Sequence, residues 1–328
     1  MKPFTYERAT TVDDALARIG PDAVFLAGGT NLIDHLRLGI RSASRVVDVS
    51  RLPFAEVARR ADGGLVIGAG VRNSDLAAHP LVREQFPFLT QALVAGASGQ
   101  LRNMATTGGN LLQRTRCVYF QDLGTPCNKR EPGSGCSAAD GFGRYNAILG
   151  TSPACVAVHP SDLCVPLAAL DAEVVVAGPA GPRRIPFGEF HRLPGDRPDL
   201  DTTLDPGELI TAVEIPPLAF AARSRYRKVR ERASYAFALV SVAAAMDVRD
   251  GVVQDVRLSL GGVAHRPYRA RAAEAALRGQ PATADRFRAA IEQELAVAEP
   301  GEHNRFKVPL VRNTVVAVLS ELTSGGAR

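Results

Sequence analysis

The stretch Phe25-Leu-Ala-Gly-Gly-Thr-Asn-Leu32 gathers an apolar run, a glycine pair and two small polar side chains. Gly28 and Gly29 tolerate backbone angles closed to other residues, so successive N–H groups there can converge on one anion. Thr30 and Asn31 add side-chain donors. The apolar spacing of Leu32, Ile33 and Leu36, ended by Gly39, predicts a short helix opening directly behind them. Ala-Gly-Gly-Thr is neither the dinucleotide-binding G-x-G-x-x-G nor a P-loop, so a phosphate-holding turn stands beside a plain strand-to-helix turn. A second glycine pair, Gly108-Gly109, is flanked by Thr106, Thr107 and Asn110. Two such turns would offer backbone N–H groups with hydroxyl and amide donors. That is equipment for gripping a diphosphate and the polyol beside it without a large basic cluster.

Four of the five cysteines, Cys117, Cys127, Cys136 and Cys155, fall in one stretch where regular patterning fades, residues 116–159. A segment this long without predicted structure is unusual in a compact domain unless something pins it. The intervening spacings of nine, eight and eighteen residues contain no C-x-x-C pair. Spacing therefore leaves an iron–sulfur cluster, a zinc site, disulfides and unrelated free thiols all open. Cys164 lies outside the stretch in apolar company and reads as packed. His159-Pro-Ser-Asp162 lacks a nucleophile-elbow context, so a hydrolytic triad is not indicated. Asp162 is better placed as an acceptor for a hydroxyl. Lys228, Arg230 and Arg232 alternate and would share one strand face, with one of them free to reach a ligand.

The elements that must carry these residues follow from apolar periodicity. Strands are expected at 4–6, 24–26, 45–49, 64–69, 172–177, 208–215, 226–229, 235–248 and 252–260. Helices are expected at 11–19, 73–78, 81–96, 270–277, 284–298 and 308–322, with Leu89, Leu93 and Val94 on one buried face. Residues 182–201 read as loop, Asp250-Gly251 as a hairpin turn, and a boundary falls near 217–224. Strands first and helices last mark the C-terminal part as α+β.

Composition narrows the function classes. A hydrophobic fraction of 46% over 328 residues supports two or three ordinary cores. The net charge of +5 is spread among interleaved acidic residues, without the basic stripe, interleaved aromatics or module of a nucleic-acid binder. No run approaches the ~20 apolar residues of a membrane span, and the first residues lack a secretory h-region. A cytoplasmic location is expected unless a signal-bearing partner carries the folded subunit to the periplasm.

Taken together, Ala27-Gly-Gly-Thr-Asn-Leu32, Thr106-Thr-Gly-Gly-Asn110, Ser161-Asp-Leu163, Lys228-Val-Arg230 and Ser234-Tyr-Ala-Phe-Ala238 resemble the FAD-binding medium subunits of molybdenum hydroxylases, the xanthine and carbon monoxide dehydrogenase group. The likeness runs over nearly the whole chain. Its fold implies an α+β protein: a two-subdomain PCMH-type FAD-binding domain over 1–220 (subdomains about 1–53 and 54–220), then an α+β domain of the CO dehydrogenase flavoprotein C-terminal type over 221–328. The segment 114–158, with Arg114-Thr-Arg-Cys117, Pro126-Cys-Asn-Lys-Arg130, Pro132-Gly-Ser-Gly-Cys136 and Cys155, resembles the insertion that holds an extra [4Fe–4S] cluster in periplasmic-type bacterial aldehyde oxidoreductases. On that resemblance Cys117, Cys127, Cys136 and Cys155 are the cluster ligands. Leu26, Ala27, Gly28, Gly29, Thr30, Asn31, Leu32, Ile33 and Asp34 surround the FAD diphosphate. Thr106, Thr107, Gly108, Gly109 and Asn110 support diphosphate and ribityl, Asp162 takes a sugar or ribityl hydroxyl, and Lys228 lies close to the flavin.

The resemblance further implies an electron-transfer subunit rather than a site of substrate oxidation. A molybdenum-cofactor large subunit would oxidise an aldehyde, a small subunit with [2Fe–2S] clusters would relay electrons, and FAD would pass them to an external acceptor. No residue of this chain is expected to be catalytic. The flavoprotein of a hydroxybenzoyl-CoA reductase or xanthine dehydrogenase-like complex, a stand-alone flavin oxidase and a cofactor-free assembly protein are the competing readings.

Overall fold

In the computed structural model, residues 1–323 are described, so the last five positions of the expected C-terminal domain lie outside the described residues. Three sheets are laid down in chain order. The first holds β1 (Thr5–Arg8), β2 (Ala23–Leu26) and β3 (Arg45–Asp48) in the order β1-β3-β2, all parallel. Parallel neighbours need crossovers, and α1 (Val12–Arg18) and α2 (Leu32–Leu38) supply them. Thr11 caps α1 by accepting from the Asp14 N–H. Gly39, at φ 76°, ends α2 in the left-handed conformation a side chain would resist.

The second sheet is antiparallel, with β4 (Val57–Arg59), β5 (Leu65–Gly68), β6 (Glu173–Gly178), β7 (Gly181–Pro186) and β8 (Leu209–Ile215) in the order β4-β5-β8-β6-β7. Between β5 and β6 run α3 (Asn73–Ala78), α4 (Pro80–Gln85), α5 (Pro87–Ala95), α6 (Gly99–Met104), α7 (Thr107–Leu111), α8 (Val118–Gln121) and α9 (Cys164–Ala169), and α10 (Phe187–Phe190) follows β7. The helical pattern at 81–96 is two helices. Pro87 cannot continue α4 and instead starts α5 at its first turn. Leu89 and Leu93 are buried as expected, whereas Val94 is 54% exposed. The stretch 182–201, expected as loop, contains β7 and α10. β7 is an edge strand, where Pro182 and Pro186 are tolerated.

The third sheet is antiparallel, β9 (Ser224–Val229), β10 (Val240–Arg249), β11 (Val252–Gly261) and β12 (Tyr268–Arg269), in the order β12-β11-β10-β9. Asp250 and Gly251 both have positive φ, the two-residue turn that matches strand twist. The strand expected from 235 begins only at Val240. Tyr235 has φ 51°, which breaks the extended run. β9 ends at Val229, so Arg230 and Arg232 do not share a strand face with Lys228.

Successive residues of β10 serve two cores. Ala243 and Ala245 join the core built on the second sheet, α5 and α9, while Val242, Ala244 and Met246 face α11 (Arg271–Leu277), α12 (Ala284–Leu295) and α13 (Lys307–Thr323). The period-2 alternation of a strand with both faces covered thus ties the C-terminal unit to the rest. Among the described residues no helix is long and apolar enough to cross a membrane.

Candidate functional site

A cleft of about 1790 Å³ is lined by the turn after β2, the α6–α7 region, the turn before α9, and Lys228 with the loop that follows it. The first glycine turn is one wall. No protein acceptor within the described residues takes the N–H groups of Gly28, Gly29, Thr30 or Asn31. Four adjacent free donors at a helix N-terminus form an anion site. Two local features hold the turn. Gly29 has φ 72°, and a Cβ on Gly28 would come within 2.1 Å of the Met104 carbonyl oxygen at the end of α6. Glycine at position 28 is therefore a matter of contact, not of dihedral freedom. Leu26 and Ile33 do not line the cleft; they pack beneath Gly29, each 3.1 Å from where its Cβ would be.

The second glycine pair works differently from the expected donor turn. Thr106 caps α7 by accepting from the Gly109 N–H, while the amides of Thr107, Gly108 and Asn110 donate to Val71, Ala69 and Thr106 carbonyls. These donors are committed to the fold and are not offered to a ligand. Gly108 is small because Ala69 stands 3.0 Å from its would-be Cβ. Thr107 is buried, with its hydroxyl donating to the Val71 carbonyl, and does not reach the cleft. Thr106, Gly108, Gly109 and Asn110 do line it. Asn110 Oδ1 accepts from Ser161 Oγ and Gln113 Nε2, each at 2.6 Å, which fixes its amide plane.

Opposite lies a buried polar group that sequence reasoning caught only in part. Lys228 Nζ meets Asp162 Oδ2 at 2.8 Å, and the Tyr226 hydroxyl donates to Asp162 Oδ1 at 2.5 Å. Burial first, then the Asp162 charge, push the Tyr226 phenol well above its ordinary value, so it remains a donor. Gly96 leaves the room this carboxylate needs, since its Cβ would come to 3.0 Å from Asp162 Oδ2. Tyr226 carried no signal of its own beyond an apolar strand position.

The end of the cleft beside α2 is cationic. Arg41, Arg114 and Arg116 line it. Burial and these three guanidiniums lower His35 to about 4, leaving it neutral. Arg116 lies over the Phe237 ring at 5.1 Å, and its Nε is buried without a partner. Arg230 and Arg232 serve the chain itself, donating to the Ala95 and Tyr235 carbonyls respectively.

A small second cavity is lined by Cys117, Cys127, Cys136 and Cys155 together, with Tyr119, Phe120 and Lys129. All five cysteines are free thiols, so the disulfide alternative is not what the fold forms. Cys127 and Cys136 face each other in an antiparallel bridge. Among the described residues no three of the four sulfurs fall within 4.8 Å of one another, the reach of a single ion. Burial raises the Cys117 thiol, and Cys155 to about 11. Cys164 is elsewhere, fully buried beside His159 and His191, with its thiol raised to about 12 by burial.

Comparison with known proteins gives this geometry a family. The profile described as "FAD binding domain in molybdopterin dehydrogenase" matches residues 2–218, and that of the "CO dehydrogenase flavoprotein C-terminal domain" matches 224–322. The Escherichia coli K12 aldehyde oxidoreductase FAD-binding subunit PaoB is 50% identical over 98% of both chains. The glyceraldehyde dehydrogenase medium chain of Sulfolobus acidocaldarius is 29% identical over 81% of this chain and 78% of its own. The solved carbon monoxide dehydrogenase of Hydrogenophaga pseudoflava superposes with a TM-score of 0.76 at 25% identity, covering 98% of each chain. With both profiles matched in order along one chain, the protein belongs to the FAD-binding medium subunits of the molybdenum hydroxylase family and is an oxidoreductase subunit.

Proposed function

We propose that this chain is the FAD- and [4Fe–4S]-containing electron-transfer subunit of a molybdenum-dependent aldehyde oxidoreductase. The observation that carries the flavin site is the set of four unpartnered amides at residues 28–31, opening on a cleft large enough for a dinucleotide. The likeness to PaoB, named as an aldehyde oxidoreductase subunit, favours an aldehyde as the substrate class of the whole complex. On this reading a molybdenum-cofactor large subunit and a [2Fe–2S] small subunit are the partners, and an external acceptor drains the electrons. Residues 1–220 form the FAD-binding part and 221–328 the C-terminal domain. The compartment follows whichever partner carries an export signal.

FAD, when bound, supplies the step between one-electron donors and a terminal acceptor. The chain's own residues bind and tune. Amides 28–31 and the start of α2 would hold the diphosphate, with Arg41 and Arg116 supplying charge at the same end of the cleft. Thr106 and Asn110 bound the cleft beside it, and Asp162 retains lone pairs for a ribityl or sugar hydroxyl while held by Lys228 and Tyr226. Lys228, which lines the cleft and is held by Asp162 at 2.8 Å, would lie close to the flavin and offer it a fixed hydrogen-bond donor.

Four free thiols line one space, a donor set suited to an iron–sulfur cluster. Cys117, Cys127, Cys136 and Cys155 would hold the cluster as thiolates and release protons on loading. Absorbance and metal analysis of the purified chain test both sites. A flavin spectrum with a broad iron–sulfur shoulder is expected, whereas stoichiometric zinc without iron removes the cluster, and a colourless protein removes both.

A further inference from the structure

Lys129 stands two residues beyond Cys127, and its side chain is 1% exposed. Its ammonium donates to the Pro198 carbonyl at 2.7 Å and to Asp201 Oδ1. The other oxygen of the same carboxylate accepts from Arg114 Nε at 2.5 Å. Arg114 in turn donates to the Lys129 and Asp199 carbonyls, and lies over the Phe120 ring at 4.8 Å. Its main-chain N–H donates to Asn31 Oδ1 at 3.2 Å, inside the first glycine turn. One carboxylate thus clamps the cysteine segment on one side. On the other it clamps the residue that tethers the turn carrying the free amides. Asp201 and Arg114 line the cleft, Lys129 and Phe120 line the cysteine cavity, and Thr115 and Cys117 line both.

We propose that Asp201 is a positioning residue that couples the two cofactor sites, so that an ordered cysteine segment strengthens FAD binding and bound FAD strengthens retention of the cluster. The inference rests on the assignment of FAD to the cleft and the cluster to the cysteine cavity, and adds a connection between them. Its physical basis is the cost of an uncompensated charge. Without Asp201 the Lys129 ammonium is left buried against a carbonyl alone, and the segment relieves this by moving outward. Arg114 then loses its anchor and the bond to Asn31 slackens. A coupling between two binding equilibria is reciprocal, so each ligand must alter the affinity of the other by the same factor.

The test uses the full chain, stripped of flavin and titrated with FAD by fluorescence, with iron measured in parallel on the same samples. Cys136→Ser, which removes a cluster ligand, is expected to weaken FAD about tenfold, within the usual range of coupling. Asp201→Asn is expected to weaken it by a similar factor, the combined variant no further than either alone, and Asp201→Glu to restore it. Lys129→Met leaves every cysteine, the cleft and the Asp201–Arg114 pair intact but cuts the tie to the cysteine segment without stranding a charge, so it should weaken FAD in the same direction as Asp201→Asn and by less, and it stands in if the latter folds poorly. Factors that multiply in the combined variant, or FAD affinity unmoved by Asp201→Asn and Lys129→Met, overturn the coupling while leaving the two cofactor assignments standing. Wild-type protein lacking FAD or iron overturns the assignment and the coupling together.

Discussion

Lys228 on β9 and Asp162 ahead of α9 pair at 2.8 Å with side chains only 2% and 10% exposed. The pair joins the C-terminal sheet to the FAD-binding part at the cleft wall, and Tyr226 donates to the same carboxylate. Lys228→Met should cost about 3–5 kcal/mol of stability by stranding a buried charge. Lys228→Met combined with Asp162→Leu should cost less than Lys228→Met alone, because no ion is then left unpaired. Denaturant unfolding of the three variants checks this, and equal or greater loss in the double variant would show that the pair is not acting as a unit.

Gly28→Ala should abolish flavin binding while the protein still folds. The added methyl would sit 2.1 Å from the Met104 carbonyl oxygen, forcing the turn away from α6 and scattering the amides that hold the anion. Flavin content after gel filtration reads the outcome. Retention at the wild-type level would place the diphosphate elsewhere.

The cysteines of the cavity and the packed Cys164 should separate cleanly. Cys136→Ser is expected to lose iron and keep flavin in the presence of excess FAD, whereas Cys164→Ser, outside the cysteine cavity, should keep both. Iron and flavin assays on both variants decide it. Loss of iron from Cys164→Ser would move the metal toward the His159 and His191 side of the protein.

Acid should act through Asp201. Burial pushes this carboxyl up, but the Lys129 ammonium and the Arg114 guanidinium outweigh it and leave the group at about 2 instead of 3.8. A carboxyl with a depressed folded value stabilises fully above its unfolded value. That contribution is therefore lost as pH falls from about 4 toward 2. Unfolding measured across that window should be steeper in wild type than in Asp201→Asn, and equal slopes would show that Asp201 carries no such ion pairs in solution.

Much of this site was legible from residue type. The turn at 27–32 and the four cysteines are marked by glycine conformation and by thiol clustering, both local properties of sequence. What stayed hidden was contact. That Thr107 and Gly108 give their N–H groups to the Val71 and Ala69 carbonyls just beyond β5, rather than to a ligand, depends on α7 packing against that segment, while the Asn110 N–H is taken by the Thr106 carbonyl of its own helix. Leu26 and Ile33 belong to the turn in sequence but support it from beneath. Asp201 lay in a stretch that read as featureless loop, because its meaning comes from Lys129 and Arg114, which are distant in the chain. Tyr235 interrupts an apolar alternation that predicts strand, and only its left-handed backbone marks the loop at the cleft.

The proposed role in electron transfer makes one demand on the intact complex that the isolated chain must not meet. When an aldehyde is mixed anaerobically with the native complex, the visible flavin band should bleach within turnover time, and the isolated chain with the same aldehyde should show no change. Bleaching by the isolated chain would make it an oxidase with its own substrate site, and a complex that oxidises aldehyde while its flavin stays oxidised in the absence of acceptor would contradict the account.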